Sequence, residues 1–115
     1  MKKSEISIQE AKNALQESGA LFTELFKYGS LVVEFYKPEH KDLQTPHNRD
    51  EIYVIAAGEG VFDSNGRRWN FKAGDFLFVP AGAEHRFEHF TDNFCTWVFF
   101  YGPEGGEKPD GQKER

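Results

Sequence analysis

Two stretches decide the fold of this chain. The first is Thr45-Pro46-His47-Asn48-Arg49-Asp50-Glu51-Ile52-Tyr53-Val54-Ile55. The second is Gly74-Asp75-Phe76-Leu77-Phe78-Val79-Pro80-Ala81-Gly82-Ala83-Glu84-His85. The first offers an imidazole and a carboxylate four residues apart, at the head of a strand predicted over 51–57. The second offers a short strand, expected to be buried, over 76–79 and stopped by Pro80, then another imidazole after a tight Pro/Gly turn. Two histidines and one glutamate are a common ligand set for a divalent metal, if the fold brings them together.

Outward from these stretches the pattern is strands and turns. Ser64-Asn65-Gly66, between Val61–Asp63 and Arg68–Phe71, is a hairpin signal, because Asn-Gly suits the left-handed positions of a type I′ turn. Gly58-Glu59-Gly60 reads as a turn, and His85 to Phe90 as a further strand. Upstream, Ala20 to Lys27 and Leu31 to Tyr36 flank Tyr28-Gly29-Ser30 and read as a hairpin. Phe94 to Tyr101 is almost wholly apolar, as a strand buried on both faces would be. Before all of these, Ser7-Ile8-Gln9-Glu10 is a capping box, followed by good helix formers as far as Ser18 and by Gly19 as the stop. Ile8, Ala11 and Leu15 share a face of that helix. The expected organisation is a helical segment over 1–19, a β domain over 20–102 and a flexible tail over 103–115.

With 115 residues the chain has the length of one domain. Its 12 Phe and 11 Gly against a single Met favour an all-β fold. A net charge of −5 with no basic cluster argues against nucleic acid. The apolar runs are strand-sized, so no membrane-spanning helix is expected, and the N-terminus shows no signal peptide. One cysteine, Cys95, excludes an internal disulfide and fits the cytoplasm; it reads as a small buried hydrophobe.

These residues resemble the cupin superfamily of small jelly-roll β-barrels. His47, three residues, Glu51, six residues and Gly58 match the second half of the family's first motif. Gly74, Pro80, Gly82 and His85 match its second motif at every spacing. The departures are that the first motif's leading histidine falls at Thr45, its opening glycine at Glu39, and the closing asparagine of the second motif at His89. The resemblance therefore implies three metal ligands, His47, Glu51 and His85. A polar cluster without metal is the plain alternative, although burying a carboxyl and two imidazoles unpaired is costly.

Alternation would place Thr45, His47 and Glu51 on one face, with His47 and Glu51 roughly 13 Å apart at about 3.3 Å per residue. One metal then requires a bend, which Pro46 and Asn48-Arg49-Asp50 permit and the family spacing implies. Arg49 and Asp50 are expected to face outward in a salt bridge. Thr45 is a weak ligand, and Gln44 offers a carbonyl oxygen instead. By parity His85, Phe87 and His89 share a face; His89 is too distant to share the metal, which leaves it a pocket-lining or an edge position. His40 falls in the irregular loop. Tyr53, Phe78, Phe87 and Trp97 are expected to line the substrate pocket, with Trp69, Phe76 and Phe99 as further aromatic candidates. Glu34 would be a general base if it pointed inward; surface exposure is favoured.

Two histidines and a carboxylate with open positions suggest non-haem Fe(II) first, with Zn, Ni, Mn or Cu as alternatives. The resemblance implies a metalloenzyme acting on a small organic molecule, by dioxygenase, isomerase or lyase chemistry. The competing reading is a small-ligand-binding or sensing barrel with structural or no metal. A homodimer is expected from the apolar strand at 94–101, the first hairpin and the family's habit.

Overall fold

The computed structural model describes residues 4–108. Helix α1 (Ile8–Ser18) opens on the expected capping box: Ser7 Oγ accepts from the Glu10 N–H at 3.0 Å, and Glu10 Oε1 accepts from the Ser7 N–H at 2.8 Å. Gly19 closes it at φ 71°. Ala11 and Leu15 pack on Phe35 and Cys95, so the helix covers one face of a sheet. Ile8, expected on the same face, is exposed; at the first helical position it sits at the rim of that contact.

Eight strands follow: β1 (Phe22–Tyr28), β2 (Leu31–Tyr36), β3 (Asp50–Ala57), β4 (Glu59–Ser64), β5 (Arg67–Lys72), β6 (Phe76–Val79), β7 (His85–Glu88) and β8 (Cys95–Tyr101). They form a five-stranded sheet, β1-β2-β8-β3-β6, and a three-stranded sheet, β5-β4-β7, with every pairing antiparallel. This is the predicted all-β jelly roll, built as two sheets rather than one closed ladder. Strand β8 lies between β2 and β3, which explains its continuous apolar run.

The interior between the sheets is aromatic. Tyr53, Phe62, Phe71, Phe87 and Phe94 are buried there with Ile55, Leu77, Val79 and Val98. Phe87 has ring neighbours at 4.7–5.3 Å in Tyr53, Phe62, Phe71 and Phe94. The Asn65-Gly66 turn has both residues at positive φ, as the hairpin signal predicted.

Gly58 carries the chain from one sheet to the other, where a local turn was expected. At φ 87° it presses against Phe94, and an added Cβ would lie 2.5 Å from the Phe94 Cα. Strand β7 ends at Glu88, short of the expected Phe90, because His89 takes a left-handed φ of 52°. The tail expected from residue 103 begins as a fastened turn. Gly105 N–H donates to Asn48 O at 2.7 Å, and Glu107 N–H donates to Asp50 Oδ2 at 2.8 Å. Residues 109–115, the rest of that tail, and residues 1–3 lie outside the described residues.

Candidate metal centre

His47 ends the loop that joins β2 to β3, and Glu51 enters β3 after a bend at Asn48-Arg49. Several contacts hold that bend. Gly82 N–H donates to His47 O at 2.7 Å, and Arg49 donates to the carbonyls of Gly102 and Ser30. Asp50 is buried, and its carboxylate accepts from the backbone amides of Ala81 and Glu107. Arg49 and Asp50 therefore do not form the outward salt bridge expected of them. They tie the first motif to the Pro80 turn and to residues 102–107, and so fix where His47 sits relative to His85.

His85 opens β7. Its Nδ1 lies 3.0 Å from Ala83 O, so Nδ1 carries the donated proton and Nε2 presents a lone pair. His85 Nε2 is 3.3 Å from Glu51 Oε1, and His47 Nε2 is 3.9 Å from the same oxygen. One ligand atom from each of the three residues lies within 4.8 Å of the others. The bend removes the long separation that a straight strand would impose.

Glu51 is 1% exposed and His85 5%. Both Glu51 oxygens and His85 Nε2 are buried with no hydrogen-bond partner. A buried polar group left so costs about 1–3 kcal/mol, and three such atoms on two neighbouring residues require an explanation. A divalent cation among them satisfies all three, so the donor set fits a metal. Burial acts to lower the His85 pKa, but Glu51 and the Ala83 carbonyl outweigh it and the net direction is up.

A cavity of about 350 Å³ opens onto this cluster. Glu34, Tyr36, Gln44, Thr45, Val98 and Phe100 are among its walls, and His47 and Glu51 line it too. No lysine or arginine is among its lining residues. Glu34 thus faces the cavity rather than open solvent, as its pairing partner Val98 does. Burial first, then the neighbouring Glu51 and Glu24, raise its carboxyl pKa. Thr45 is exposed at the rim.

The expected aromatic lining divides. Tyr53 lies beside the cluster, its ring 6.1 Å from His85, and burial and then Glu51 push its phenol well above the usual range. Phe87 is core behind Tyr53 rather than cavity wall. Phe78 is 43% exposed on edge strand β6. Its pairing partner is Ile52, whereas Leu77 pairs with inward-facing Tyr53, so parity turns Phe78 out. Trp97 also faces away from the interior, packing edge-on against Phe35 beneath α1. Phe76 and Phe99 share that outer side, whereas Trp69 packs on the interior cluster from its border. His89 and His40 are both exposed and stand outside the cluster.

Asp42 was not anticipated. It is 1% exposed, and its carboxylate accepts from Tyr36 OH at 2.6 Å, Phe87 N–H at 2.8 Å, Gln44 Nε2 at 3.0 Å and Gln44 N–H at 3.2 Å. An aspartate in a polar loop carries no sequence signal for such a role.

A model of the cupin domain matches residues 32–101, from β2 through β8. The chain is 49% identical over 39 residues to the oxalate-binding protein of Thermotoga maritima, covering 34% of this chain and 32% of that protein. It is 32% identical over 93 residues to acireductone dioxygenase 1 of Vitis vinifera, covering 75% of this chain and 50% of that one. The chain spans half or less of either relative's length. A cupin 2 conserved barrel domain protein from Salinispora arenicola superposes with a TM-score of 0.60 at 22% identity, over 70% of this chain and 74% of that one, which speaks for the fold. With the domain model covering more than half of its length, the chain belongs to the cupin family.

Proposed function

We propose that this cupin binds one divalent transition metal through His47, Glu51 and His85 and acts on a small organic molecule in the adjoining cavity. The observation that carries this reading is that ligand atoms of His47, Glu51 and His85 lie within 4.8 Å of one another beside an open cavity, with the buried Glu51 carboxyl and His85 Nε2 lacking hydrogen bonds. A metal held there supplies Lewis acidity, and iron, the favoured ion, adds redox chemistry with dioxygen.

The chain's own residues have separable parts in this reading. The Ala83 carbonyl holds the His85 ring in the tautomer that presents Nε2. Tyr53 and Phe87 close the inner side of the site to water. Glu34, its pKa raised, faces the substrate space as the group able to hold or pass a proton. Similarity to acireductone dioxygenases supports dioxygenase-like chemistry ahead of isomerase or lyase chemistry.

The second reading is a non-catalytic barrel that binds a small ligand, and the similarity to an oxalate-binding protein favours it. We infer a homodimer for either reading. Phe76 and Phe78 are exposed on β6, the end strand of its sheet, and a second copy pairing across that edge would cover both. No helix among the described residues is long and apolar enough to cross a membrane. A cytoplasmic location remains the proposal, on the strength of the single free, buried cysteine.

Elemental analysis of untagged protein tests the metal, alongside His47→Ala and His85→Ala. Near-stoichiometric iron lost in both variants is the expected result, followed by oxygen consumption with small aromatic and carboxylate substrates. Another metal at that level would move the chemistry toward isomerase or lyase. No metal, even after reconstitution, would overturn the metalloenzyme and leave the ligand-binding barrel.

A further inference from the structure

The Gln44 amide lies against the triad in an orientation its neighbours dictate. Gln44 Oε1 is 3.5 Å from His47 Nε2, comparable with the spacings inside the triad, and Gln44 lines the same cavity as His47 and Glu51. We propose that Gln44 Oε1 is a fourth protein donor to the metal, in place of the histidine that Thr45 replaces, and that Asp42 is the positioning residue that aims it. This inference rests on the metal-binding reading above.

The orientation follows from donor and acceptor inventory. A carboxylate offers only lone pairs, so Asp42 Oδ2, 3.0 Å away, must meet the amide NH₂. The carbonyl end then points toward His47 and Tyr53. Asp42 cannot turn to release it, because Tyr36 OH, the Phe87 N–H and the Gln44 N–H occupy its remaining lone pairs. Tyr53 OH donates to Gln44 Oε1 at 2.9 Å and takes one lone pair of the carbonyl oxygen. The other faces His47 Nε2 and is open to a cation when that nitrogen carries no proton, the state a metal-binding imidazole requires. A carboxylate that orients a ligating histidine does the same with an imidazole. Here the oriented group is an amide, which makes the centre richer in oxygen than a three-histidine site.

Cobalt(II) is the probe, titrated into the full chain and its variants, with dissociation constants and d–d absorption as the readouts. Gln44→Ala is expected to weaken cobalt binding about tenfold. Asp42→Asn turns one of the two acceptor oxygens into a donor, so the side chain no longer dictates which way the amide faces, and is expected to weaken binding by a similar factor, with no further loss in the Gln44→Ala background. Gln44→His exchanges oxygen for nitrogen and is expected to move the d–d bands to higher energy. This variant leaves the Asp42 bonds to Tyr36 and Phe87 in place, so it decides the ligand claim even where Asp42→Asn unfolds. A Gln44→His spectrum superimposable on the wild type overturns the ligand claim, as does unchanged affinity in Gln44→Ala. Equal losses from Asp42→Asn in both backgrounds overturn the positioning role. Cobalt bound without response to Gln44 sinks this inference alone, whereas failure of the wild type to bind cobalt sinks the metal reading and takes this inference with it.

Discussion

Glu51→Met in the metal-free protein tests the energetics of the site. Glu51 is 1% exposed, and neither carboxyl oxygen has a hydrogen-bond partner. Such a group costs about 1–3 kcal/mol, and methionine replaces it at similar volume for less than about 1.5 kcal/mol. At the middle of both ranges the expected net gain is about 1 kcal/mol. Unfolding entropy of about 2.1 cal/mol/K per residue gives this chain about 0.24 kcal/mol/K, so Tm should rise by about 4 °C. His85 makes the gain depend on pH. Its folded pKa is raised, so its pairing with Glu51 stabilises fully below the unfolded value of about 6.5 and is lost as pH rises through the folded value. Glu51→Met forfeits that pairing, so its advantage should be largest at pH 8.5 and smallest at pH 5.5. Metal inverts the order: the wild type gains about 2.7 kcal/mol at a hundredfold excess over Kd, and the variant gains little. Calorimetric melts after chelator dialysis, at both pH values and with metal restored, read all three terms. A metal-free variant that melts below the wild type at pH 8.5 would falsify the claim that, apart from its pairing with His85, the Glu51 carboxyl has no hydrogen-bond partner.

Two contrasts probe the scaffold. Gly58→Ala combines a left-handed φ, about 1–2 kcal/mol, with a Cβ driven into the Phe94 backbone, about 1–3 kcal/mol. Gly74→Ala has a similar φ of 91° and open space around it, so denaturant melts should show Gly58→Ala as the clearly larger loss. Phe87→Ala should cost about 3–5 kcal/mol and Phe78→Ala about 1 kcal/mol or less, by the same melts, because one is interior and the other a half-exposed edge residue. Equal losses would mean that β6 is turned the other way.

What the sequence made legible depended on whether the signal was local. The capping box of α1, the Asn65-Gly66 turn and the extent of β6 each rest on residues that act on their own neighbours, and each appears where predicted. The triad was legible because its spacing matches a known motif. Alternation alone argued against it, since a straight strand would separate His47 from Glu51. Parity marked which residues of a strand share a face but not which face is the interior. Phe78 and Trp97 were assigned to the cavity on aromatic character, yet Leu77 and Val98 hold the inward positions beside them. Glu34 shows the same limit from the other side: a charged residue in an apolar strand reads as solvent-facing until the partner of its neighbour is known.

The residues that order the site had no local signal at all. Asp42 sits in a polar loop, yet its carboxylate reaches the backbone of Phe87, on the opposite sheet. Asp50 likewise joins β3 to the Pro80 turn and to Glu107. Asp42 satisfies a buried strand amide of the opposite sheet, and Asp50 satisfies two turn amides at the end of its own sheet, demands that exist only once those segments meet. Asp42 therefore couples ligand position to the closing of the sandwich, and Asp50 couples it to the segments that follow β6 and β8 in its own sheet. Asp50 sets the bend that carries His47, and Asp42 fixes the loop that carries Gln44. Without these long-range bonds the ligand residues keep their spacing in sequence and lose it in space, which is why a motif with the right intervals is necessary for such a centre and not sufficient for it.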